Sequence, residues 1–574
     1  MKTQRTVITI LSLVILLSLP AIIAAGQGEK YADLLQTARE KGFVRVIACL
    51  EVPGIDTLTA ESNHFMTGIT EAAYVQAAYN ADLNLEKAIG SVADKVLQHL
   101  NGREYSVNHT FSTLPCLALT LSPEAVSRLT DSPGIVALIE DRPIPLSESW
   151  ANNVKDKISY PQLQQSTEIV GAKDAWSLGY TGKGWFVAIL DTGIYKAHEF
   201  FTGKTIVEQC YSVEKDCPNG QGSMSGPGSA VHVGENPHGS HVSGIAAGNN
   251  KKDKFGVAKD ADIMAVQIFS YIEAWDDVGS YTSDQIKGLE YVYQKRNQYK
   301  IAAANMSLGS DAVYASYCNT DYWNALIKGA IDNLKAAGIA TAVASGNSDS
   351  CNGVSAPACI STAITVCSTD KRDYHYLGAN WHDTIVDLLA PGVEIVSATA
   401  DAVDSYQAWT GTSMATPHVT GAWAILKQFS PTISVDNALK ALKDNGTLIT
   451  NRCGSGVQKS RINIDTAIMS MYSLVPPLSF KGEKKANQSL LQTEYIDVLT
   501  WEANPLNAAH DQTITHYRIY TVDGSNNLTF LAEVTGSTLS YWNRKVSTSG
   551  SLTYAIKSVN DQGELSISAY TTVE

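Results

Sequence analysis

Val187-Ala188-Ile189-Leu190-Asp191-Thr192-Gly193 is the stretch on which the fold turns. The apolar run 185–190 stops abruptly at polar residues. It does not alternate, so the strand it forms must be covered on both faces, as in a parallel sheet buried under helices. The pattern recurs. Residues 301–304 run into Asn305-Met306-Ser307-Leu308-Gly309, residues 338–344 run into Ser345-Gly346-Asn347, and 363–366 and 385–389 are further apolar runs. Helical patterns over 282–296 and 322–337 lie between them. Alternation of this kind across residues 151–470 predicts an α/β domain with a doubly wound parallel sheet. Ligands of such sheets bind at the carboxyl ends of the strands, which is where these runs turn polar.

The flanks differ in character. Residues 30–148 read as a small α+β unit, with strands over 44–52, 117–121 and 134–139 and a long helix over 71–100. Ser122-Pro123-Glu124 has the cap and the first-turn proline of a further helix start. A polar, proline-containing segment, 142–150, then leads away. Residues 476–574 hold short alternating strands over 495–501, 514–520, 528–534 and 553–559, separated by turns such as Asp523-Gly524. That spacing predicts an all-β sandwich with Trp501, Tyr517 and Tyr554 in its core.

At the amino terminus Lys2 and Arg5 precede an apolar run, 7–23, and then Ala24-Ala25-Gly26. This is the order of a secretory signal peptide over residues 1–25, and Pro20 interrupts it as a membrane span. The product is expected outside the cytoplasm, in the medium or a periplasm, and away from the membrane once the signal is removed. A net charge of −14 opposes binding to nucleic acid. Of the nine cysteines, Cys210 with Cys217 and Cys351 with Cys359 are close enough in sequence to pair. The odd count leaves a thiol over, and sequence does not settle connectivity. Cys49 and Cys116 lie upstream, in the small α+β unit.

Three motifs carry chemistry. Gly411-Thr412-Ser413-Met414-Ala415-Thr416-Pro417-His418 opens an apolar helical stretch, so Ser413 sits where free N–H groups favour an anion. A lone serine at such a place is far more often only a cap. Asn236-Pro237-His238-Gly239-Ser240-His241 offers His238 as a base, with His241 a buried neighbour, although two histidines at that spacing also suit a metal. Asp191 could orient the imidazole, or could simply close a turn with its own backbone. The serine lacks the G-x-S-x-G setting of a lipase or esterase elbow.

Taken together, the three motifs resemble the subtilase (subtilisin-like) family over residues of about 170–470, and the order Asp, His, Ser is that of subtilisin itself. The resemblance implies a serine endopeptidase with Asp191, His238 and Ser413 as catalytic triad and Asn347 in the oxyanion hole. It also implies substrate binding by Ser307, Leu308 and Gly309 and by Ser345 and Gly346. Residues 30–148 resemble the family's inhibitory propeptide, ferredoxin-like in fold, cut by the enzyme itself near 146–150. Residues 476–574 resemble a fibronectin type III module. Protein or peptide substrates, the chain's own propeptide as inhibitor, and a monomer are expected. A histidine base works in its neutral form, so activity should fall below about pH 6.5.

No cofactor is required by this chemistry. Family members with a strong calcium site carry an oxygen-rich loop near residues 247–258, where this chain is rich in lysine. Calcium could still serve stability, at a site the sequence does not place. The competing reading is a secreted adhesion or binding protein on an inactive subtilase fold, against which the intact triad and oxyanion asparagine argue.

Overall fold

The computed structural model describes residues 31–63, 71–146, 162–488, 493–524, 526–544, 546 and 550–574. The expected signal peptide, and the expected cut site from 147 onward, lie outside the described residues. The chain forms two compact units. One holds the described residues up to Ala172 together with Thr181–Asn463; the other holds Lys173–Tyr180 and Ile464–Glu574.

The first unit is built on a ten-stranded sheet. Its order is Thr447–Thr450, Gln458–Arg461, Leu388–Pro391, Ile364–Thr369, Ala340–Ala344, Ile301–Met306, Phe186–Asp191, Asp262–Gln267, Ile206–Tyr211 and Ser223–Ser225. Pairing is parallel throughout except at the two edges. The chain lays down Phe186–Asp191 and the strands on one side of it, Asp262–Gln267 entering last between Phe186–Asp191 and Ile206–Tyr211, then crosses over to build outward from Ile301–Met306 on the other. Those two central strands therefore flank the point where the winding reverses, the place at which α/β sheets hold ligands. Their register pairs Ile189 with Asn305, which sets Asp191, the last residue of its strand, level with Ser307, the first residue after Met306.

Helices His238–Ala247 and Thr412–Phe429 are buried nearly all round, which explains why neither shows a polar face in sequence. They pack so closely that a Cβ on Gly421 would lie 2.8 Å from the Ala246 carbonyl oxygen. Ala246 and Gly421 stand equally far from His238 and Ser413 along their helices.

The sequence runs at 301, 338 and 363 become Ile301–Met306, Ala340–Ala344 and Ile364–Thr369. The run at 385 is corrected: Ile385 is buried in a turn, and the strand is Leu388–Pro391. Ile206–Tyr211 and Asp262–Gln267 were not expected as strands: Glu208 and Gln209 interrupt the apolar pattern of the first, and the apolar part of the second is only the four residues between Asp262 and Gln267.

Residues 31–146 form a four-stranded antiparallel sheet, ordered Tyr105–Thr110, Cys116–Leu121, Val44–Leu50, Ile135–Glu140. Helices Ala32–Lys41, Glu71–Leu97 and Pro123–Thr130 accompany it, the last capped by the Ser122 hydroxyl as expected. The sheet has two apolar faces. Val46, Ala48, Leu117, Leu119 and Leu138 pack with Leu85, Ile89 and Leu129. Ile47, Cys49, Cys116, Ala118, Ala137 and Ile139 join the core of the parallel sheet.

That second face carries buried polar contacts. The His109 ring meets the Asp284 carboxylate at 2.6 Å. Ser112 and Thr113 N–H groups donate to Glu290 at 2.5 and 2.7 Å. Ser283 donates to Asp141 through its hydroxyl at 2.6 Å and its N–H at 3.1 Å. The described part of the segment expected to lead away, up to Leu146, stays on the domain: Pro143–Pro145 pairs antiparallel with Asp277–Tyr281, and Leu146 N–H donates to Val278 at 3.4 Å. Prolines fit there because an edge strand leaves some N–H positions unneeded.

The second unit is all-β apart from short helices. A sheet of Leu478–Gln488, Thr493–Glu502 and Ser540–Arg544 faces one of Leu528–Thr535, Ile514–Val522, Leu552–Asn560 and Ala569–Val573. Trp501, Tyr517 and Tyr554 lie in its core as expected, with the Trp501 and Tyr517 rings 5.5 Å apart. Leu478–Gln488, Ser540–Arg544 and Ala569–Val573 had no clear signal in the sequence.

Cys210–Cys217 pairs as expected, but Cys351–Cys359 is corrected to Cys318–Cys359 and Cys351–Cys453. Short spacing favoured the local pair; the fold instead brings the loop after Asn347 beside the hairpin that ends at Arg461. Cys351–Cys453 closes a separation of 102 residues. Replacing both cysteines by serine should lower stability by about 2–4 kcal/mol, read as a lower denaturant midpoint with a steeper slope, because the freed unfolded chain exposes more surface.

Candidate active site

Asp191 closes its strand and accepts a hydrogen bond from the His238 imidazole, Nδ1 to Oδ1 at 2.8 Å. The carboxylate is held by its neighbour, Thr192 N–H donating to Oδ1 at 2.8 Å. His238 opens its helix. Its N–H donates to the Asn236 side chain at 3.1 Å, while Gly239 N–H donates to Thr192 Oγ1 at 3.0 Å, so strand end and helix start are tied directly. The Trp409 indole lies parallel to both histidine rings, 6.3 Å from His238 and 4.2 Å from His241.

His241 is buried, as expected. Its Nε2–H donates to the Gln407 carbonyl at 3.0 Å, and burial pushes its pKa down to about 3. It is a neutral ring wedged under Trp409.

Ser413 lies in the first turn of Thr412–Phe429. It is anchored to the neighbouring strand end twice. Ser307 Oγ donates to the Ser413 carbonyl at 2.9 Å, and Ser413 Oγ donates to the Ser307 carbonyl at 3.3 Å. Ser307 in turn accepts from Asn305 Nδ2 at 2.9 Å, and Thr420 Oγ1 donates to Asn305 Oδ1 at 3.0 Å. Because Asp191 ends its strand level with Ser307, just past the end of the adjacent one, the imidazole and the hydroxyl hang from anchors about one strand spacing, roughly 5 Å, apart. Asp191 is 1% exposed and His238 0%, whereas Ser413 retains 7%: of the three, the hydroxyl's residue is the one open to an incoming group.

Asn347 follows Ser345 and Gly346 at the end of Ala340–Ala344. Its Oδ1 accepts from Thr412 N–H at 2.9 Å and Thr412 Oγ1 at 3.0 Å. A backbone N–H can only donate, so the amide oxygen faces Thr412 and the NH₂ is left to donate on the other side. That NH₂ lies beside Gly411, where a Cβ would be 3.4 Å from it. The loop is set by buried Asn380, whose Oδ1 accepts from Ser348 N–H at 2.8 Å and Ser350 N–H at 3.1 Å. Ser345 Oγ donates to the Asn380 carbonyl at 2.8 Å. Leu308 is buried, and Gly309 lies against Ser355.

Sequence reasoning missed Thr192, Asn236, Asn305, Asn380 and Trp409. A buried asparagine inside an apolar strand was the one available signal, at Asn305. The lysine-rich loop is closed by its own groups: Asn250 Oδ1 accepts from the N–H groups of Lys252, Asp253 and Lys254, and the Lys252 ammonium meets Glu199 at 3.1 Å.

The sequence of this chain has counterparts among known proteins. The subtilase family model matches residues 182–459. The alkaline protease of Alkalihalobacillus alcalophilus is 30% identical over 397 residues, covering 68% of this chain and 89% of that protein. The alkaline elastase YaB of Bacillus sp. (strain YaB) is 30% identical over 386 residues, 64% of this chain and 86% of that one. The extracellular serine proteinase of Thermus sp. (strain Rt41A) is 34% identical over 262 residues, 46% and 55% respectively. The chain belongs to the subtilase family. It is a serine endopeptidase, and its substrates are proteins or peptides.

A Cβ on Gly239 would lie 2.1 Å from the Gly193 carbonyl oxygen and 3.2 Å from Asp191 Cβ. Gly239→Ala should therefore separate the strand end from the helix start. We expect at least a hundredfold loss of kcat/KM and destabilisation of about 1–3 kcal/mol, measured by peptide hydrolysis and by denaturant unfolding of the same preparation.

Proposed function

We propose that this chain is a secreted subtilase made as a self-inhibited precursor, with Asp191, His238 and Ser413 as its triad. The observation that carries the reading is the Asp191–His238 hydrogen bond at 2.8 Å, set one strand away from a serine held at a helix N-terminus. In the reaction the Ser413 hydroxyl turns from the Ser307 carbonyl to His238, which takes its proton as Oγ attacks the scissile carbonyl. Asp191 stabilises the imidazolium and fixes the tautomer that leaves Nε2 as the accepting nitrogen. The Asn347 NH₂ and the Ser413 N–H receive the oxyanion, aided by the positive end of the helix. His238 then protonates the leaving amine, and water clears the acyl-enzyme by the same path. Every step uses groups of the chain, so no cofactor enters.

Residues 31–146 act as the inhibitor. Pro143–Pro145 pairs in register with Asp277–Tyr281, Gly279 opposite Pro145 and Tyr281 opposite Pro143, the kind of main-chain pairing by which an extended peptide is held. The second unit is proposed as a fibronectin type III module. The working enzyme is monomeric.

Ser413→Ala should abolish both peptide hydrolysis and self-cleavage while leaving the fold intact. Asn347→Ala should lower kcat by about 10²–10³, a figure carried over from subtilisin, with KM nearly unchanged. Persistent cleavage by Ser413→Ala would overturn the assignment.

Asp141 gives the docked precursor a pH dependence. Burial, reinforced by Asp284 and opposed by Ser283 and His109, raises its pKa to about 7, against about 3.9 when freed. Docking thus takes up a proton. The contribution of this carboxyl is complete below about pH 4 and is lost as pH rises through about 7. Between about pH 4 and about pH 8 the unfolding midpoint of the Ser413→Ala precursor, taken relative to that of the same chain carrying Asp141→Asn, should fall as pH rises, since the buried histidines common to both chains cancel in the difference.

A further inference from the structure

Two thiols outside the site face one another across the N-terminal sheet. Cys49 lies in Val44–Leu50 and Cys116 opens Cys116–Leu121. The antiparallel register places them directly opposite, and their sulfurs are 2.8 Å apart. Neither belongs to the three disulfides of the parallel-sheet region, and the remaining cysteine, Cys367, is buried in Ile364–Thr369.

The ladder position suits a bond. One step along, Leu50 N–H donates to the Pro115 carbonyl at 2.7 Å, while Cys116 N–H turns back to Leu114 at 2.7 Å. The Cys49–Cys116 pair therefore falls at a non-hydrogen-bonded position, where facing Cα atoms stand about 4.5 Å apart and side chains are closest. That spacing is within the reach of a disulfide. The chain already carries three disulfides, so it matures where such bonds persist.

We infer that Cys49 and Cys116 form a fourth disulfide, closed while residues 31–146 fold and sealed when their sheet packs on the parallel-sheet core. The oxidant is another disulfide, that of oxidised glutathione or of a thiol–disulfide oxidoreductase. The thiolate of one cysteine attacks it, breaking its S–S bond and forming a mixed disulfide. The second cysteine then displaces the remaining half, so the protein S–S bond forms and the donor leaves as two thiols carrying two electrons and two protons.

The timing follows from position. Both cysteines lie on the face that joins the core with Phe111, Ile139 and Leu146. Once covered, the Cys116 thiol is pushed well above its ordinary range by burial and by Cys49 beside it, leaving little thiolate to react. Exchange belongs to the uncovered sheet, and the same cover then excludes reductant. The cross-link also braces the turn just before Cys116, whose Ser112 and Thr113 N–H groups take the Glu290 carboxylate.

The test uses the full-length Ser413→Ala chain made in an oxidising compartment, denatured without reductant, alkylated with N-ethylmaleimide, digested and weighed. The expected result is alkylation at Cys367 alone, with the Cys49 and Cys116 peptides joined and two hydrogens lighter than their sum. Alkylation of Cys49 and Cys116 as complete as that of Cys367, in a sample whose other three disulfides are intact, would overturn the proposal. A second arm exposes the folded chain to dithiothreitol before denaturation. The cross-link should persist at least tenfold longer than in the unfolded chain; equal rates would refute the sealing step.

Discussion

The register of two neighbouring parallel strands is the constraint on which the rest depends. Ile189 lies beside Asn305, and two residues further on Asp191 ends its strand level with Ser307, which follows the last residue of the next. One carries the imidazole through a carboxylate; the other carries the buried helix that begins at Thr412. A slip of one residue would turn either group to the opposite face of the sheet and separate base from nucleophile. Both strands are buried at every residue, so a slip would drive each side chain into a place packed for another. Stability and geometry are thus set by the same contacts.

A second consequence is that the polar groups of the site cannot relax independently. Asn305, Ser307 and Thr420 are fully buried, as are Ser345, Thr412 and Asn380, and the hydrogen bonds among them and to nearby backbone run from one strand end to the next. In a medium this dry a half-satisfied polar network is costly, so each member holds its neighbours in place. Asn347 inherits that rigidity through Thr412 on one side and the Asn380-supported loop on the other. A donor fixed in advance stabilises developing charge without reorganising as the charge appears.

Most of this frame was legible in the residues. Unbroken apolar runs ending in polar residues identified the strands and the end of the sheet that matters, and the helix after Gly411 followed from its apolar length. What escaped has a common cause. Cys351 pairs with Cys453 rather than Cys359, Trp409 stacks on two histidines, and Pro143–Pro145 becomes a strand. Each partner is chosen by a fold that brings distant segments together, and spacing along the chain does not encode it. Ile206–Tyr211 was missed for a related reason: Glu208 is tolerated in a buried strand because the Lys196 ammonium meets it at 2.5 Å, a partner found only in three dimensions.

The N-terminal sheet shows how a covered face can remain separable. Its inner face is apolar enough to pack into the main core, yet it also presents His109 to Asp284, Asp141 to Ser283, and a turn to Glu290. A face meant to stay covered would gain from apolar residues at these places, since desolvating charges and polar groups offsets much of what their contacts return. Here the same groups regain water on separation, which lowers the cost of parting, while the directional bonds demand a single docked arrangement. An interface of this composition is specific without being permanent. That is the physical requirement for the inhibitory segment proposed above, which must fold against the enzyme and then leave it.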